Sequence, residues 1–309
     1  MTDFVEFLHG VKASAINKYP DPRVYAAAPS TAGNEATGSD GGFAVPPDTA
    51  SEIIAAVREL SLAGRCAQLT TTSNTLTLPV DDRAPWADTH FVWENELSTL
   101  TQTKPQFSGR NMRLAKIVGL IPVSDELLED APGLDSYMRA TIPEKLSAKL
   151  NTAIVRGSGA GQLLGILNAG CLISLTRGGS VAASATAMVK RLPGESQQRA
   201  VWLANPSVEI PTTPGLPRLL EGLPVLGIES CSASGTKGDL ILADMLGYQI
   251  AMKSPAPQIA TSIHLWFDAA AVAYRVTLRV QGQPLWAAPA APQFGTDTRS
   301  QFVTLENAA

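Results

Sequence analysis

Residues 156–167 read RGSGAGQLLGIL, with Gly157, Gly159 and Gly161 at alternate positions. Glycines so spaced can let a backbone wrap a phosphate, which would make the chain a nucleotide enzyme. A phosphate loop, however, follows a strand and opens a helix, so that the helix N-terminus faces the anion. Here the order is reversed. The glycines follow a helical stretch ending at Arg156, where glycine serves as a stop because it tolerates positive φ. The GxxxxGK[ST] pattern is absent, and Lys237 in SGTKGD does not supply it. Gly157, Gly159 and Gly161 are read as a structural turn.

Other residue types able to do chemistry are equally unorganised. Neither HExxH nor GxSxG occurs, and His9, His90 and His264 stand in unrelated contexts, which gives no metal site and no Ser–His pair. Cys66, Cys171 and Cys231 are far apart and odd in number, so they read as buried small hydrophobes in a reducing compartment. The carboxylate pairs Asp81–Asp82, Asp125–Glu126 and Glu129–Asp130 suit solvated turns and helix starts, where negative charge is favoured. No catalytic residue, cofactor or metal is assigned, and no enzyme emerges.

The elements that would position any site come next. At 309 residues the chain exceeds one typical domain, and its 45% apolar content can fill a core. Charged residues reach only 17%, against about 25% in ordinary soluble proteins. Either other subunits cover much of the surface, or the composition is simply Ala-rich. No run of about 18 apolar residues could span a bilayer, and MTDFVEFLHG lacks the layout of a secretory signal. A net charge of −4, with Lys and Arg scattered, argues against a basic DNA-gripping surface.

Phe4, Phe7, Leu8 and Val11 share one face of a short helix that must dock on something, and residues 26–42 form an extended, Gly-rich arm. After Pro46–Pro47, Asp48 or Thr49 caps a helix bearing Ile53, Ile54, Val57 and Leu60. NTLTLPV alternates as a half-buried strand, with Pro79 at an edge or near its end. Residues 81–106 show no element, yet hold Trp86, Phe91, Trp93 and Leu100, too aromatic for a solvated linker. A two-stranded arm laid on a partner, or a lid over a ligand site, would each account for them. A second extended run covers Phe107 to Val123.

Met138, Ile142, Leu146, Leu150 and Ile154 then recur every four residues as a helical stripe, read as core rather than interface. Pro143 either kinks this helix or marks a start, with Thr141 and Glu144 as a capping box. AVWLANPSVEI reads as a strand ending in an Asn-Pro turn, and GDLILADMLGYQIAM as a strand followed by a short element. In VAYRVTLRV, Val272, Tyr274, Val276, Leu278 and Val280 oppose Ala273, Arg275, Thr277 and Arg279, and Gln281–Gly282 signals a turn.

Several of these segments, in this order, resemble the major capsid proteins of tailed bacteriophages with the Hong Kong 97-type fold. They are GGFAVPPDTASEIIAAVRE, then FVWENEL with PQFSGRNMRLAKIVGLIPVSDELLED, then LNTAIVRGSGAGQLLGIL, AVWLANP, GDLILAD and YRVTLRVQGQP. Together they cover most of residues 41–290. The resemblance implies an α+β chain divided into an N-terminal arm (1–47), a peripheral domain with a long spine helix and β-sheet (48–80 and 119–180), a projecting β-hairpin E-loop (81–118), an axial domain (181–265) and return strands with the C-terminus (266–309). It implies that the chain assembles with itself as pentamers and hexamers into an icosahedral shell enclosing double-stranded DNA. That places it in the virion, assembled in the host bacterial cytoplasm.

On this resemblance Trp86, Phe91 and Trp93 clamp an adjacent subunit, and Phe4, Phe7 and Leu8 tie capsomers together. Some relatives crosslink through an E-loop lysine; Lys104 is the one such lysine before the return strand, and no asparagine or glutamate partner can be assigned to it. The residues before Gly41 hold no heptad run, so a separate scaffolding protein, or none, is expected. A portal is an expected partner, as are a protease and decoration proteins in some particles. Contact with DNA is expected to be weak and non-specific, because an acidic chain releases few counterions. The competing readings are an encapsulin-like compartment and, from another class, a soluble α/β enzyme with its lid at 81–106.

Overall fold

A computed structural model describes residues 43–44, 61–80, 108–124, 134–210, 218–253, 258–266 and 270–308. The first half of the chain supplies β1 (Phe43–Ala44), β2 (Ala67–Thr71), β3 (Thr75–Val80), β4 (Ser108–Arg113), β5 (Ala115–Ser124) and α1 (Leu134–Arg156). There follow β6 (Ile173–Leu175), α2 (Val181–Lys190), β7 (Val201–Ala204), β8 (Leu219–Leu220), β9 (Leu223–Gly227) and β10 (Leu240–Ala243). The chain ends through β11 (Tyr248–Lys253), β12 (Gln258–Trp266), β13 (Ala271–Pro284) and β14 (Phe302–Leu305). The helix face of Phe4, Phe7, Leu8 and Val11, the cap at Asp48 or Thr49 and the whole of 81–106 lie outside the described residues.

The first sheet is built on β13. Along one edge it pairs antiparallel with β5, from Ala271 opposite Ser124 to Val280 opposite Ala115. Along the other it pairs with β12 and then β11, and the sheet continues to β1 and β2. The alternation in VAYRVTLRV decides which face is which. Val272, Tyr274, Val276, Leu278 and Val280 are buried in the main core, with Ile117, Ile121 and Val123 beside them from β5. One expected feature is absent. Gln281 and Gly282 do not turn; β13 runs through them, pairing with Ala251 and Ile250. Glycine is needed there for another reason, because a Cβ at 282 would meet the Tyr248 ring at 2.6 Å.

α1 lies against this core. Leu150 and Ile154 are fully buried, Ile142 nearly so, and Leu146 packs on the cluster. Each buried aliphatic side chain stabilises by roughly 1.5–3 kcal/mol. The helix does not start at Thr141: it is already running from Leu134, so Pro143 sits inside it and Thr141–Glu144 is no capping box. Ser147 turns its hydroxyl back to the Glu144 carbonyl at 2.7 Å.

The second sheet has the order β6-β14-β10-β7-β9-β8 and is apolar on both faces. Val201, Leu203, Ile241, Ala243 and Phe302 point into the main core under α1. Their neighbours Trp202, Ala204, Leu240, Leu242, Val303 and Leu305 point into a second core closed by Ala185 and Met188 of α2. Continuous runs such as VWLA and LILA are what a sheet covered on both sides requires.

These sheets do not divide the chain at the boundaries read from the sequence. Ile173–Leu175 and Phe302–Leu305 join the second sheet, whereas β11 and β12, inside 181–265, belong to the first. Likewise Ala115–Val118 pairs with β13 rather than extending the hairpin as far as 118. Pairing between strands distant in sequence leaves no local signature, so these memberships follow from the structure alone.

Candidate assembly interface

β3 and β4 form a separate two-stranded sheet, with a register running from Thr75 opposite Arg113 to Val80 opposite Ser108. Residues 81–107 are attached at its far end. At its near end Met112 and Leu114 pack with Ala251, flanked by Leu69, Leu76 and Leu78, on the outer face of the first sheet. The Arg110 guanidinium donates to the Pro284 carbonyl, and Leu114 N–H donates to Asn74 O at 2.9 Å. Thr77 Oγ1 donates to Asn111 Oδ1 across the two strands at 2.7 Å. The stem is thus seated by an apolar patch and polar ties, whatever its extension meets.

Of the residues singled out from the sequence, Phe4, Phe7, Leu8, Trp86, Phe91, Trp93 and Lys104 lie outside the described residues. The three glycines lie within them, directly after α1. Gly157 N–H still donates to Ala153 O at 2.9 Å, and a Cβ there would meet Leu163 O at 2.1 Å. Close approach, not positive φ, therefore demands glycine at 157. Positive φ belongs to Gly159 (+79°) and Gly161 (+68°), where the loop doubles back. Asn168 Nδ2 donates to the carbonyls of Arg156 and Gly157 at 2.9 and 3.0 Å, satisfying acceptors left open at the helix end. Arg156 extends from the same turn to Ser230 O at 2.7 Å and Ser232 Oγ at 2.8 Å.

Two buried carboxylates brace the second sheet. Asp244 accepts from Ser196 Oγ at 2.6 Å, from Arg199 Nε at 2.8 Å and from Leu246 N–H at 3.1 Å. Asp239 accepts from Arg177 Nη2 at 2.9 Å and Gly235 N–H at 2.8 Å. Asp244 is committed to structural bonds through both oxygens, whereas the buried Asp239 Oδ1 has no partner among the described residues. The three cysteines are buried and free, and burial pushes the Cys66 and Cys231 thiols up to about 12 and Cys171 to about 11. Thiols held protonated are poor nucleophiles and poor metal ligands. Among the described residues no group of three or more His, Cys, Asp or Glu could hold a metal ion. None of the described helices is long and apolar enough to cross a membrane.

What the described surface does offer is contact area. Val118 and Leu120 are about half exposed on the outer face of β5, and Phe294 is 85% exposed on the loop before β14. Sequence reasoning missed these residues. A signal existed in AKIVGLIPVS, where Ile117, Ile121 and Val123 point into the core while Val118 and Leu120 point away from it. A strand apolar on both faces is one that is covered on both faces. β5 is covered on one.

The family model described as "Phage capsid family" matches residues 41–209. The structure is similar to the capsid of an empty GTA particle, at a TM-score of 0.61 and 18% identity, covering 90% of this chain and 100% of that one. It is also similar to a chain of Mycobacterium phage Adephagia, at a TM-score of 0.52 and 14% identity, covering 79% of this chain and 89% of that one. A third similarity is to the procapsid of satellite phage P4 that includes a size determination (Sid) protein, at a TM-score of 0.57 and 9% identity, covering 86% of this chain and 93% of that one. No curated protein matches.

Proposed function

The chain belongs to the phage capsid family, and from that premise we propose that it is the major coat protein of a tailed phage or phage-derived particle, building an icosahedral shell of pentamers and hexamers around double-stranded DNA. Its fold is the Hong Kong 97-type α+β capsid fold. It is a capsid shell protein, a structural component of a virion that associates with its own kind. The carrying observation is the family match over residues 41–209 together with one fold spanning 90% of the chain.

The mechanism is assembly. α1 and its buried stripe hold the body rigid while the β3–β4 stem presents residues 81–107 to an adjacent subunit, where Trp86, Phe91 and Trp93 clamp it. Phe4, Phe7 and Leu8 tie capsomers together. The body with α1 and the first sheet acts as the peripheral domain, and the second sheet with α2 as the axial domain. Lys104 serves as a solvated or ion-pairing residue of the loop, without a crosslink. A portal admits DNA, and a scaffolding, protease or decoration protein acts in trans where the particle uses one. Contacts that are weak singly become effective through multivalency.

Negative-stain microscopy and light scattering on the full chain test this reading. Five- and six-membered rings or closed shells are expected. A uniform small species that persists when the neighbouring genes are co-expressed would overturn it.

A further inference from the structure

Among the described residues Val118 and Leu120 of β5 are not the only large apolar side chains left exposed; Leu219, Leu246 and Phe294 are as well. These three gather at one end of the second sheet. Ala243 pairs with both Phe302 and Val201, and Trp202 with Val225, so β10 ends there, β14 begins there, and the β8–β9 turn lies at the same end. The two faces of this sheet are filled within the subunit. Its two edges are not. β6 and β8 stand five strand spacings apart, roughly 24 Å. Phe294 belongs to the β6 flank and Leu219 to the β8 flank.

Phe294 is held out into solvent by a braced loop. Ala290 and Arg299 close the loop, each N–H donating to the other's carbonyl at 2.8 and 2.9 Å. Arg191, at the end of α2, holds Asp297 Oδ1 at 3.2 Å and Thr298 O at 3.2 Å, and Gly295 (φ +98°) turns the tip. Ser300 Oγ donates to Cys171 O, and Ala287 O lies 2.6 Å from where a Cβ on Gly170 would stand, so both legs sit beside the start of β6. A loop so fixed has little freedom left to lose on binding. On the opposite edge Leu219 of β8 pairs with Pro224 of β9, and both are exposed while Leu220 and Leu223 enter the second core. Trp202 Nε1–H seats this hairpin by donating to Leu220 O at 2.8 Å. The two patches also differ in charge. Asp297, near Phe294, is 75% exposed; Arg218, next to Leu219, is exposed with no carboxylate partner among the described residues.

We propose that Phe294 of one copy seats on the Leu219–Pro224 patch of the next, with Asp297 meeting Arg218, so that opposite edges of the second sheet make the repeating contact of a ring. A ring is built head to tail and needs two different, complementary patches on every subunit, whereas a single self-complementary patch stops at a dimer. The described residues supply such a pair: a protruding aromatic beside an acid, and an apolar hairpin face beside a base. The two lie too far apart to meet within one subunit, and a foreign partner would account for only one of them. Exposed aromatic side chains on rigid supports are the usual anchors of protein contacts. The contact rests on the reading of the chain as a shell protein, and names the residues by which neighbouring copies would hold each other.

The test is crosslinking of assembled full-length chains that carry Gln293→Cys and Arg218→Cys, with a short bismaleimide and a denaturing gel. The native cysteines are buried, so only the introduced thiols react. A ladder rising from dimer to ring-sized products is expected from the double variant, and monomer alone from either single variant. Particles whose chains stay monomeric on the gel overturn the contact and leave the shell reading standing. Dimers from Gln293→Cys alone overturn it as well, because the loop would then meet its own copy across a two-fold axis. A wild-type chain that forms neither rings nor particles overturns both readings together. Phe294→Ala supplies a second measurement. It should raise the concentration needed for assembly by about tenfold or more, with the urea midpoint of the subunit unmoved, and Phe294→Trp should restore assembly. An unchanged assembly concentration in Phe294→Ala overturns the proposal.

Discussion

The two sheets share one core but are finished in different ways. The second is closed within the subunit: β7, β10 and β14 carry no charge, and their alternate residues fill two separate cores. The first packs one face into the main core and closes its other only in part, over Ala251, Ala273 and Thr277. Its outer face is sealed by the hairpin stem at the β11 end and bears Lys116, Arg275, Val118 and Leu120 at the other. A subunit that seals one sheet and leaves half of another open suits a shell, in which the open half meets a neighbour or the contents. Substitutions on the strand faces should therefore harm folding in the second sheet and assembly or binding in the first.

The largest stability effect is expected at Trp202, which is fully buried and donates Nε1–H to Leu220 O at 2.8 Å. Trp202→Ala should cost about 3–5 kcal/mol in urea unfolding. A loss below about 1 kcal/mol would mean that the second sheet is not sealed, and the contrast would fail. Next in size is Gly282→Ala, at the sealed end of β13. The added methyl meets the Tyr248 ring and should cost about 1–3 kcal/mol. Gly119→Ala, on the open strand β5 with nothing within 4 Å of its Cβ, should cost nothing measurable in the same assay.

The core between the sheets can be probed with alkali. Burial raises the Cys66, Cys171 and Cys231 thiols from 9.0 to about 12, 11 and 12. Raised folded values mean that the unfolded chain loses these protons first. Stability is then complete below about pH 9 and declines as the pH climbs from 9 towards 12. Urea midpoints between pH 8 and 10.5 should show this decline, and Cys66→Ala should flatten it. Native thiols should also resist maleimide at pH 7.5 while unfolded ones react at once. Rapid native labelling would show that the shared core opens.

Much of this contrast was legible in the sequence. The period-two pattern of VAYRVTLRV grouped the five β13 residues that share the main core, and the fourfold spacing of Ile142, Leu146, Leu150 and Ile154 gave the buried side of α1. Two local signals misled, for identifiable reasons. Gln281–Gly282 carries turn chemistry, but the glycine makes room for a tyrosine from a strand distant in sequence. Thr141–Glu144 has capping-box spacing, but tertiary packing carries the helix through Pro143. The alignment of cations across the first sheet was invisible for a third reason. Lys116, Lys253 and Arg279 come from three strands scattered along the chain, and only sheet register aligns them.

A small effect on the subunit, and the sharpest test of the comparison, is expected at Leu120. Its side chain is half exposed opposite Arg275, and it touches neither core. Leu120→Ser should change the unfolding free energy by less than about 0.5 kcal/mol, the range usual for surface positions. Apolar area hidden only in the assembly contributes roughly 25 cal/mol per Å², repeated at every copy in the shell. Particle yield should then fall severalfold while the isolated subunit stays intact. Light scattering and unfolding on one preparation separate the two quantities. If yield and stability drop together, Leu120 is buried within its own subunit and β5 is as sealed as β10. If neither changes, the apolar outer face of β5 is not part of the contact.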